Sequence, residues 1–379
     1  MRDFILIAMS FFIWGIGEGT FFYFQPLYLQ ELGASPILIG TILGLNGLAM
    51  TLVQIPGGYL ADRIGTRKVM MFSWLLGTFC TLIMAFAPSL IVFSIGYILY
   101  GLSAGNAATN SYITKIRGKL SVSRALTVVS AAYHIGALIG PTIGGQIGER
   151  SGLSLIYRIS TIMFAVSTSI IFFTRPDQIE PRDSSQPKHN LLKNRSFVLL
   201  LSVCFISIFS GYLAEPLTSN YLQNVHKLTL SQIGQLGSIG SLGNAVISLA
   251  FGGKSPFVGI LIGHVFLSVF SLTMWKGTDM GWFSIGFFLR GGYRIYQSMY
   301  MAIARTLAPP ADMGLAYGIV SCCNSIAVIL APLLAGLLYE IKPQLIYPVA
   351  LSLVGITFII NSAASRQFKN KGHGEIKET

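Results

Sequence analysis

Long apolar stretches, each close to twenty residues, follow one another along almost the whole chain, with short polar connections between them. A helix of about 20 apolar residues crosses about 30 Å of hydrocarbon. The stretches are continuous and do not alternate polar and apolar positions, which excludes the strands of a membrane barrel. The pattern predicts twelve transmembrane helices, over residues 4–26, 36–60, 69–88, 90–114, 125–147, 153–174, 197–222, 229–252, 256–275, 281–304, 314–339 and 343–364.

The predicted helices form two groups of six, separated by a long polar connection rich in Pro, Asp, Ser and Lys. The groups match each other at a shift of about 190 residues, so that Gln25-Pro26 corresponds to Glu215-Pro216 and Tyr100-Gly101 to Arg290-Gly291. We therefore predict an all-α polytopic membrane protein of two six-helix pseudo-repeats. Its parts are an N-terminal bundle over 1–174, a cytoplasmic linker over 175–196, a C-terminal bundle over 197–364 and a cytoplasmic tail over 365–379.

Composition agrees with a membrane protein, because only 11% of the residues are charged and 53% are hydrophobic, whereas a soluble domain has roughly a quarter charged. The net charge of +12 does not indicate nucleic acid. Nineteen of the 26 Lys and Arg lie in the N-terminus, the even-to-odd connections and the tail. This bias follows the positive-inside rule and predicts a multi-pass protein of the cytoplasmic (inner) membrane with both termini cytoplasmic. The partner of the basic excess is then the lipid bilayer, through its anionic headgroups.

One connection, Gly58–Lys68, concentrates charged residues between two apolar stretches. Its glycines, Gly58 and Gly65, are expected to allow a turn too tight for side chains. Asp62 either accepts hydrogen bonds or merely offsets the neighbouring Arg63 and Arg67. The charged residues of this connection are Asp62, Arg63, Arg67 and Lys68.

This connection resembles the loop signature of the major facilitator superfamily, and segment 136–145 resembles that superfamily's fifth-helix motif, which is associated chiefly with antiporters. The resemblance covers about residues 4–364. It implies two six-helix halves that rock about a central site. It also implies that Asp62 caps the eleventh helix, at about 313–316, in the outward-open conformation. The corresponding segment of the second half, 252–256, lacks the acid, so this latch is expected to be one-sided.

The fifth-helix motif consists of Gly136, Gly140, Pro141, Gly144 and Gly145. Pro141 is expected to free a backbone carbonyl, and the glycines allow another helix to approach closely. The resemblance implies a kinked seam that opposes leak. Ordinary helix packing through small residues is the alternative, and the two interpretations are compatible.

Ionisable groups within hydrocarbon cost several kcal/mol unless they face a cavity or a partner, which makes each a functional candidate. The resemblance places helices 1, 4, 7 and 10 around the central cavity. Arg290 and Arg294 share one helix face, and they either fork onto an anionic substrate or form a buried ion pair with a glutamate. The glutamates are candidates for carrying coupling protons. The candidates for substrate binding or coupling are Glu18, Glu215, Arg290, Arg294, Asn106, Gln297 and His134, whose alternative role is packing.

These features predict a secondary active transporter that moves a small organic solute by alternating access, through proton-linked export or antiport. Tyr97 counts against proton coupling through the fourth helix, because the superfamily's motif has an arginine there. One alternative is facilitated or symport uptake of a small metabolite, with anionic metabolites among those considered. The other is a non-transporting membrane sensor on a transporter fold. No nucleotide-binding, metal or nucleophile motif occurs, so we expect no cofactor and no enzymatic activity. The expected partners are a small-molecule substrate and protons, and the expected state is a monomer without nucleic acid.

Overall fold

The computed structural model describes residues 2–104, 106–176, 191–251, 255–308 and 313–374. In these ranges the regular structure is helical and contains no strand. The α-helices are α1 (Arg2–Phe22), α2 (Gln25–Glu31), α3 (Pro36–Ile64), α4 (Thr66–Ala85), α5 (Leu90–Gly101), α6 (Asn106–Ile116), α7 (Val122–Ser151), α8 (Leu153–Phe172), α9 (Arg195–Leu213), α10 (Thr218–Asn224), α11 (Leu230–Phe251), α12 (Pro256–Lys276), α13 (Met280–Leu289), α14 (Gly292–Leu307), α15 (Met313–Ile341) and α16 (Ile346–Gly374).

Polar side chains mark the points where several of these helices begin. The hydroxyl oxygens of Ser35, Ser89 and Ser121 accept hydrogen bonds from backbone N–H groups in the first turns of α3, α5 and α7. The carboxylate of Asp279 does the same for α13, at 2.8 Å from the N–H of Gly281. Each such acceptor satisfies a donor that has no partner within its own helix. Short polar connections are therefore sufficient to start the next apolar helix.

The helices follow the twelve predicted spans. Ten stretches of the described chain are helical, long and apolar enough to cross a membrane, and the shorter apolar helices α5 and α13 occupy the fourth and tenth spans. Four spans are divided: the first into α1 and α2, the fourth into α5 and α6, the seventh into α9 and α10, and the tenth into α13 and α14. Every third span in the chain, beginning with the first, is therefore divided. The predicted fold class, with its pseudo-repeats, is confirmed.

Two compact units are present in the chain. The first comprises Met1–Asp183 with Ser219–Ser241, and the second comprises Ser184–Thr218 with Leu242–Thr379. This grouping assigns most of α10 and the beginning of α11 to the first unit, whereas the sequence-based division assigned them to the C-terminal bundle. Helix α16 also continues beyond position 365, where the tail was expected to begin. The boundaries of the bundles, linker and tail stay predictions.

A buried polar network joins three helices of the first unit. The hydroxyl oxygens of Ser10 on α1 and Ser167 on α8 lie 2.7 Å apart, and the indole N–H of Trp74 on α4 donates to both at 3.1 Å. All three side chains are buried. Buried polar groups require such partners, and in an apolar bundle the resulting hydrogen bonds hold helices together.

A second buried network joins four helices of the second unit. His264 on α12 places Nε2 3.0 Å from the hydroxyl of Thr357 on α16, while its Nδ1 lies 2.7 Å from a backbone carbonyl one turn earlier. A carbonyl only accepts, so Nδ1 carries a hydrogen. Asn361, also on α16, donates to the hydroxyl of Ser207 on α9 at 2.9 Å. Tyr300 on α14 donates to the same hydroxyl at 2.7 Å.

Candidate functional site

Glu215 and Arg290 form an ion pair in the second unit. Arg290 Nη1 donates to Glu215 Oε1 at 2.5 Å, and the two side chains are only 9% and 17% exposed. Glu215 lies in the break between α9 and α10, and Arg290 in the break between α13 and α14. The Arg290 guanidinium also lies over the ring of Phe287, 5.6 Å from its centroid. Of the two roles that the sequence left open for Arg290, the structure contains the buried ion pair.

The aromatic residues beside this pair divide into two kinds. Tyr212 and Tyr293 contact each other at 5.6 Å between ring centroids and are half-buried. Tyr296 and Tyr300 are completely buried, and both pack within the second unit. The predicted candidates Arg294 and Gln297 lie on α14, but their side chains are outside the described residues.

Glu18 on α1 is held by tyrosines from two other helices of the first unit. The hydroxyl of Tyr133 on α7 donates to Glu18 Oε2 at 2.8 Å. Tyr100 on α5 is close enough for a further side-chain hydrogen bond to Glu18. Tyr100, at the end of α5, is the sequence counterpart of Arg290, which directly follows α13. In both units the residue at this position therefore reaches a carboxylate in the first transmembrane span of its half.

The remaining polar candidates are only partly described. His134 is half-buried on α7, with its ring 5.2 Å from that of Tyr133. Asn106 begins α6, and its side chain lies outside the described residues. Tyr97 occupies the position where the superfamily motif has arginine; it is buried, and its backbone carbonyl accepts a 2.6 Å hydrogen bond from Asn46.

The charged connection is shorter than the sequence suggested. Helix α3 continues to Ile64, and Gly65 alone, with φ +98°, makes the turn into α4. The expectation for Gly65 is confirmed, because side chains are rarely tolerated at this φ. The expectation for Gly58 is wrong: it lies inside α3, which continues past it to Ile64 before Gly65 makes the turn.

The charged side chains of this connection have different surroundings. Arg67 donates to the Thr174 hydroxyl at 3.1 Å and to the Phe172 carbonyl at 3.0 Å, which attaches the start of α4 to the end of α8. Arg63 is exposed and lies over the ring of Tyr59. Lys68 is exposed, and the side chain of Asp62 lies outside the described residues, as does the predicted counterpart segment at 252–254. The proposed cap by Asp62 stays a prediction.

Three glycines of the fifth-helix motif form one seam. Gly136, Gly140 and Gly144 follow one another at every fourth position on α7 and face the backbone of α1. A Cβ at Gly140 would lie 2.6 Å from the Ile16 carbonyl oxygen and 2.7 Å from Gly19 Cα. Only glycine permits this approach, so the motif holds α1 and α7 in direct backbone contact.

The opposite face of the motif contacts the beginning of α11. A Cβ at Gly145 would lie 2.5 Å from the Leu230 carbonyl oxygen. Pro141 removes the hydrogen bond that its own N–H would have donated to the carbonyl of Ala137. That carbonyl instead accepts a 3.3 Å hydrogen bond from the hydroxyl of Ser241 on α11. The expectation that Pro141 frees a carbonyl is confirmed.

Further polar contacts, which the sequence did not indicate, join α2 to α10 and α7 to α11. Gln30 on α2 exchanges amide hydrogen bonds with Asn224 on α10 and accepts one from Asn220 at 2.7 Å. Glu149 at the end of α7 accepts a 2.9 Å hydrogen bond from the backbone N–H of Ser231 on α11. The partners are separated by 82 to 194 positions, and no local pattern in the sequence signals them.

A family model described as Major Facilitator Superfamily matches residues 4–292 of this chain. The chain belongs to the Major Facilitator Superfamily. It is a multi-pass membrane protein and a transporter of this superfamily, as the resemblance of its motifs implied.

Relatives of known name support the assignment. The chain is 26% identical over 287 residues to an uncharacterized MFS-type transporter of Methanocaldococcus jannaschii, covering 70% of this chain and 72% of that protein. It is 27% identical over 292 residues to the multi-drug resistance efflux pump PmrA homolog of Lactococcus lactis, with 72% of each chain covered. It is 30% identical over 234 residues to the multidrug resistance protein MdtG of Yersinia enterocolitica, covering 57% and 56%.

Solved structures of the superfamily share the fold. A variant of the nucleoside transporter NupG aligns with a TM-score of 0.82 at 11% identity, over 97% of this chain and 99% of that one. The peptide transporter POT in complex with sulfate aligns with a TM-score of 0.79 at 12% identity, over 98% and 95%. Similarity at this level of identity shows the superfamily fold.

Proposed function

We propose that this transporter exports or exchanges a small organic solute by alternating access, coupled to protons that move in the opposite direction. Two of its relatives are named as multidrug efflux or resistance proteins. The fifth-helix motif, which the superfamily associates with antiporters, is built into two close helix seams. The names of these relatives and the fifth-helix motif of this chain therefore both support export.

The Glu215–Arg290 ion pair is the observation that carries the proposal. A buried carboxylate holds its charge only while a cation or hydrogen-bond donors compensate it. A proton on Glu215 therefore weakens the pair and releases the Arg290 guanidinium, and loss of the proton restores it. Protonation of Glu215 therefore determines whether the Arg290 guanidinium is paired or released.

Glu18 is the second candidate carrier of a proton. Its carboxylate accepts the Tyr133 hydroxyl in this structure. A protonated Glu18 would donate a hydrogen bond of its own, so the hydrogen-bond pattern around it changes with its protonation. Each half of the transporter thus has one glutamate whose contacts respond to a proton.

The membrane orientation is part of the same proposal. The excess of Lys and Arg in the N-terminus, the even-to-odd connections and the tail supports cytoplasmic termini in the cytoplasmic membrane. In this orientation the bundles over 1–174 and 197–364 are the halves that rock, and the linker faces the cytoplasm. We propose a monomer as the working unit, because a single chain supplies both halves.

Proton movement in proteoliposomes tests the proposal directly. Purified protein is reconstituted with a pH-sensitive dye enclosed, and solutes that raise its melting temperature are added outside without a nucleotide. If the protein is an antiporter, solute that enters the vesicles drives protons out, so the internal pH should rise. Solute flux without any change in internal pH would contradict proton coupling.

Uptake of a small anionic metabolite is the second candidate function, favoured by the buried Arg290 guanidinium. A free guanidinium forks onto a carboxylate or phosphate with two hydrogen bonds. The test is thermal stabilisation by anions, compared between the wild type and Arg290→Gln. Stabilisation by anions that is present in the wild type and absent in the variant supports an anion site. If anions do not stabilise the wild type, this candidate function is rejected.

A further inference from the structure

Tyr157 on α8 is completely buried, and its hydroxyl has no hydrogen-bond partner in the described part of the chain. Burying a hydroxyl without a partner is unfavourable. The counterpart of Tyr157 in the second half, Tyr347, is equally buried, but its hydroxyl lies 3.2 Å from that of Thr218. In the first half the position of Thr218 is taken by Tyr28, whose ring lies 5.1 Å from that of Tyr157. A polar partner is therefore expected at the Tyr157 hydroxyl.

Three tyrosines from three helices meet at this place. Tyr28 on α2 and Tyr97 on α5 are buried, and both are close enough to Tyr157 to interact with its hydroxyl electrostatically. The ring of Phe93 lies 5.0 Å from the rings of both Tyr28 and Tyr157. A buried water makes about three hydrogen bonds to polar groups that have no other partner. Three hydroxyls from separate helices supply such partners, so the place suits a water molecule.

Glu31 connects this tyrosine cluster to the aqueous surface. It is the exposed last residue of α2, and it interacts electrostatically with both Tyr28 and Tyr157. Arg158, which is also exposed and lies over the ring of Phe86, acts on Tyr28 as well. In the proposed orientation α2 ends at the outer face. A series of polar groups therefore leads from the outer solution to Tyr157.

Tyr100 connects the same cluster to Glu18. Tyr97 and Tyr100 are three residues apart on α5, a spacing that makes their side chains neighbours on the helix surface. The ring of Phe21 contacts those of Tyr100 and Tyr157, at 5.9 Å and 5.5 Å between centroids. The Tyr100 hydroxyl is close enough for a hydrogen bond to Glu18. The series of hydroxyls therefore continues from Tyr157 to the Glu18 carboxylate.

We propose that these tyrosine hydroxyls, with a water at Tyr157, carry protons between the outer solution and Glu18. This inference rests on the role of Glu18 in the proton-coupled transport proposed above. Each hydroxyl oxygen accepts a proton on a lone pair and releases its own hydrogen to the next group. One O–H bond forms for each that breaks, so no tyrosinate remains. Tyr97, which stands where the superfamily motif has arginine, then takes part in proton movement without carrying a charge.

Other titratable groups lie near the Glu18 end of the route, on α7. The Tyr133 hydroxyl donates to Glu18 Oε2 at 2.8 Å, and the ring of His134 lies 5.2 Å from that of Tyr133. The proposed route reaches Glu18 through Tyr100 of α5 instead. A substitution at Tyr157 therefore alters the route without removing either side chain that contacts Glu18.

Hydroxyl-radical footprinting tests the water site. X-rays generate radicals from bound water, and these modify the side chains that contact it, including buried ones. Tyr157 should be modified, whereas Tyr347 is the matched control, because it is equally buried and its hydroxyl already meets Thr218. Equal modification of the two tyrosines would overturn the water site.

Proton delivery to Glu18 tests the route without a transported solute. A light flash releases protons from a caged acid outside proteoliposomes, and infrared absorption of the protonated carboxyl reports their arrival. The band of Glu18 is the one that is absent from Glu18→Gln. Tyr157→Phe should slow the rise of this band about tenfold, because the proton then crosses only when further water enters a largely apolar site. Tyr347→Phe is the matched control and should leave the rate unchanged.

Three results would overturn the route. They are equal rates in the wild type and Tyr157→Phe, equal slowing by Tyr157→Phe and Tyr347→Phe, and a Glu18 band that does not rise in the wild type. Neither measurement uses a transported solute. A band slowed only by Tyr157→Phe, together with solute flux that does not respond to a pH gradient, would therefore support the route and reject only the proposed coupling.

Discussion

Trp74 and His264 stand 190 residues apart and occupy equivalent places in the two buried polar networks. Trp74 donates to Ser167 in the first unit, and His264 meets Thr357 in the second, where Thr357 again follows Ser167 by 190 residues. The duplication that the sequence predicted is therefore preserved as a pattern of hydrogen bonds between helices. At these two positions the residue types have changed, but the side chains still join the same pair of helices in each half.

Replacing His264 by Leu should destabilise the second unit. The substitution removes the two side-chain hydrogen bonds of His264, to the carbonyl one turn earlier and to the Thr357 hydroxyl, each worth about 0.5–1.5 kcal/mol. Thermal unfolding in detergent measures the loss as a lower melting temperature. His134→Leu, at a half-buried position, is the control and should cause a smaller decrease. Equal decreases for the two variants would show that the network does not stabilise the bundle.

The Glu215–Arg290 pair should behave as a unit in a double-mutant cycle. Arg290→Gln alone leaves Glu215 buried without its cation and should cost about 3–5 kcal/mol. The double variant with Glu215→Gln removes both charges, so it should recover a large part of that loss. Thermal unfolding of the four proteins measures the coupling. Strictly additive losses would mean that the two side chains stabilise the protein independently.

Substituting Gly140 by Ala should separate α1 from α7. The new Cβ would lie 2.6 Å from a backbone oxygen of α1, and overpacking of this kind costs about 1–3 kcal/mol. Gly355→Ala on α16 is the matched control, because a Cβ there meets no atom of the described residues within 4 Å. At this control position alanine should be neutral or stabilising, because it favours a helix over glycine by up to about 1 kcal/mol. A melting temperature lowered only by the first substitution is expected, and equal values would contradict the seam.

Alanine at Gly65 and at Gly58 should have opposite consequences for stability. Gly65 has φ +98°, a conformation in which a side chain is strained by about 1–3 kcal/mol. Gly58 lies inside α3, and a Cβ there meets no atom of the described residues within 4 Å, so alanine should be neutral or slightly stabilising. Melting temperatures of the two variants check the position of the turn. A destabilised Gly58→Ala protein would place part of the turn at Gly58 after all.

The helices could be predicted because the cost of placing polar groups in hydrocarbon restricts where apolar stretches begin and end. The breaks after Gly101 and at Arg290-Gly291 could not be located, since the apolar stretches continue across them. The intramembrane charges were recognised individually, because Glu18, Glu215 and Arg290 are conspicuous in an apolar sequence. Their partners depend on which helices pack together, and a single sequence does not show this.

His264 illustrates the limit for the candidate site. The sequence contains two histidines in apolar helices, and nothing local distinguishes His264, which joins helices, from His134, which is half-buried.

The pH dependence of transport by the Glu18→Gln, Glu215→Gln double variant tests the central claim most directly. Wild type and variant are reconstituted in proteoliposomes, and flux of an exchanged solute is measured with and without an imposed pH gradient. The account predicts that a pH gradient drives the wild type, whereas the variant exchanges solute but no longer responds to the gradient. A variant that retains the full response of the wild type to the pH gradient would contradict proton coupling through these two glutamates.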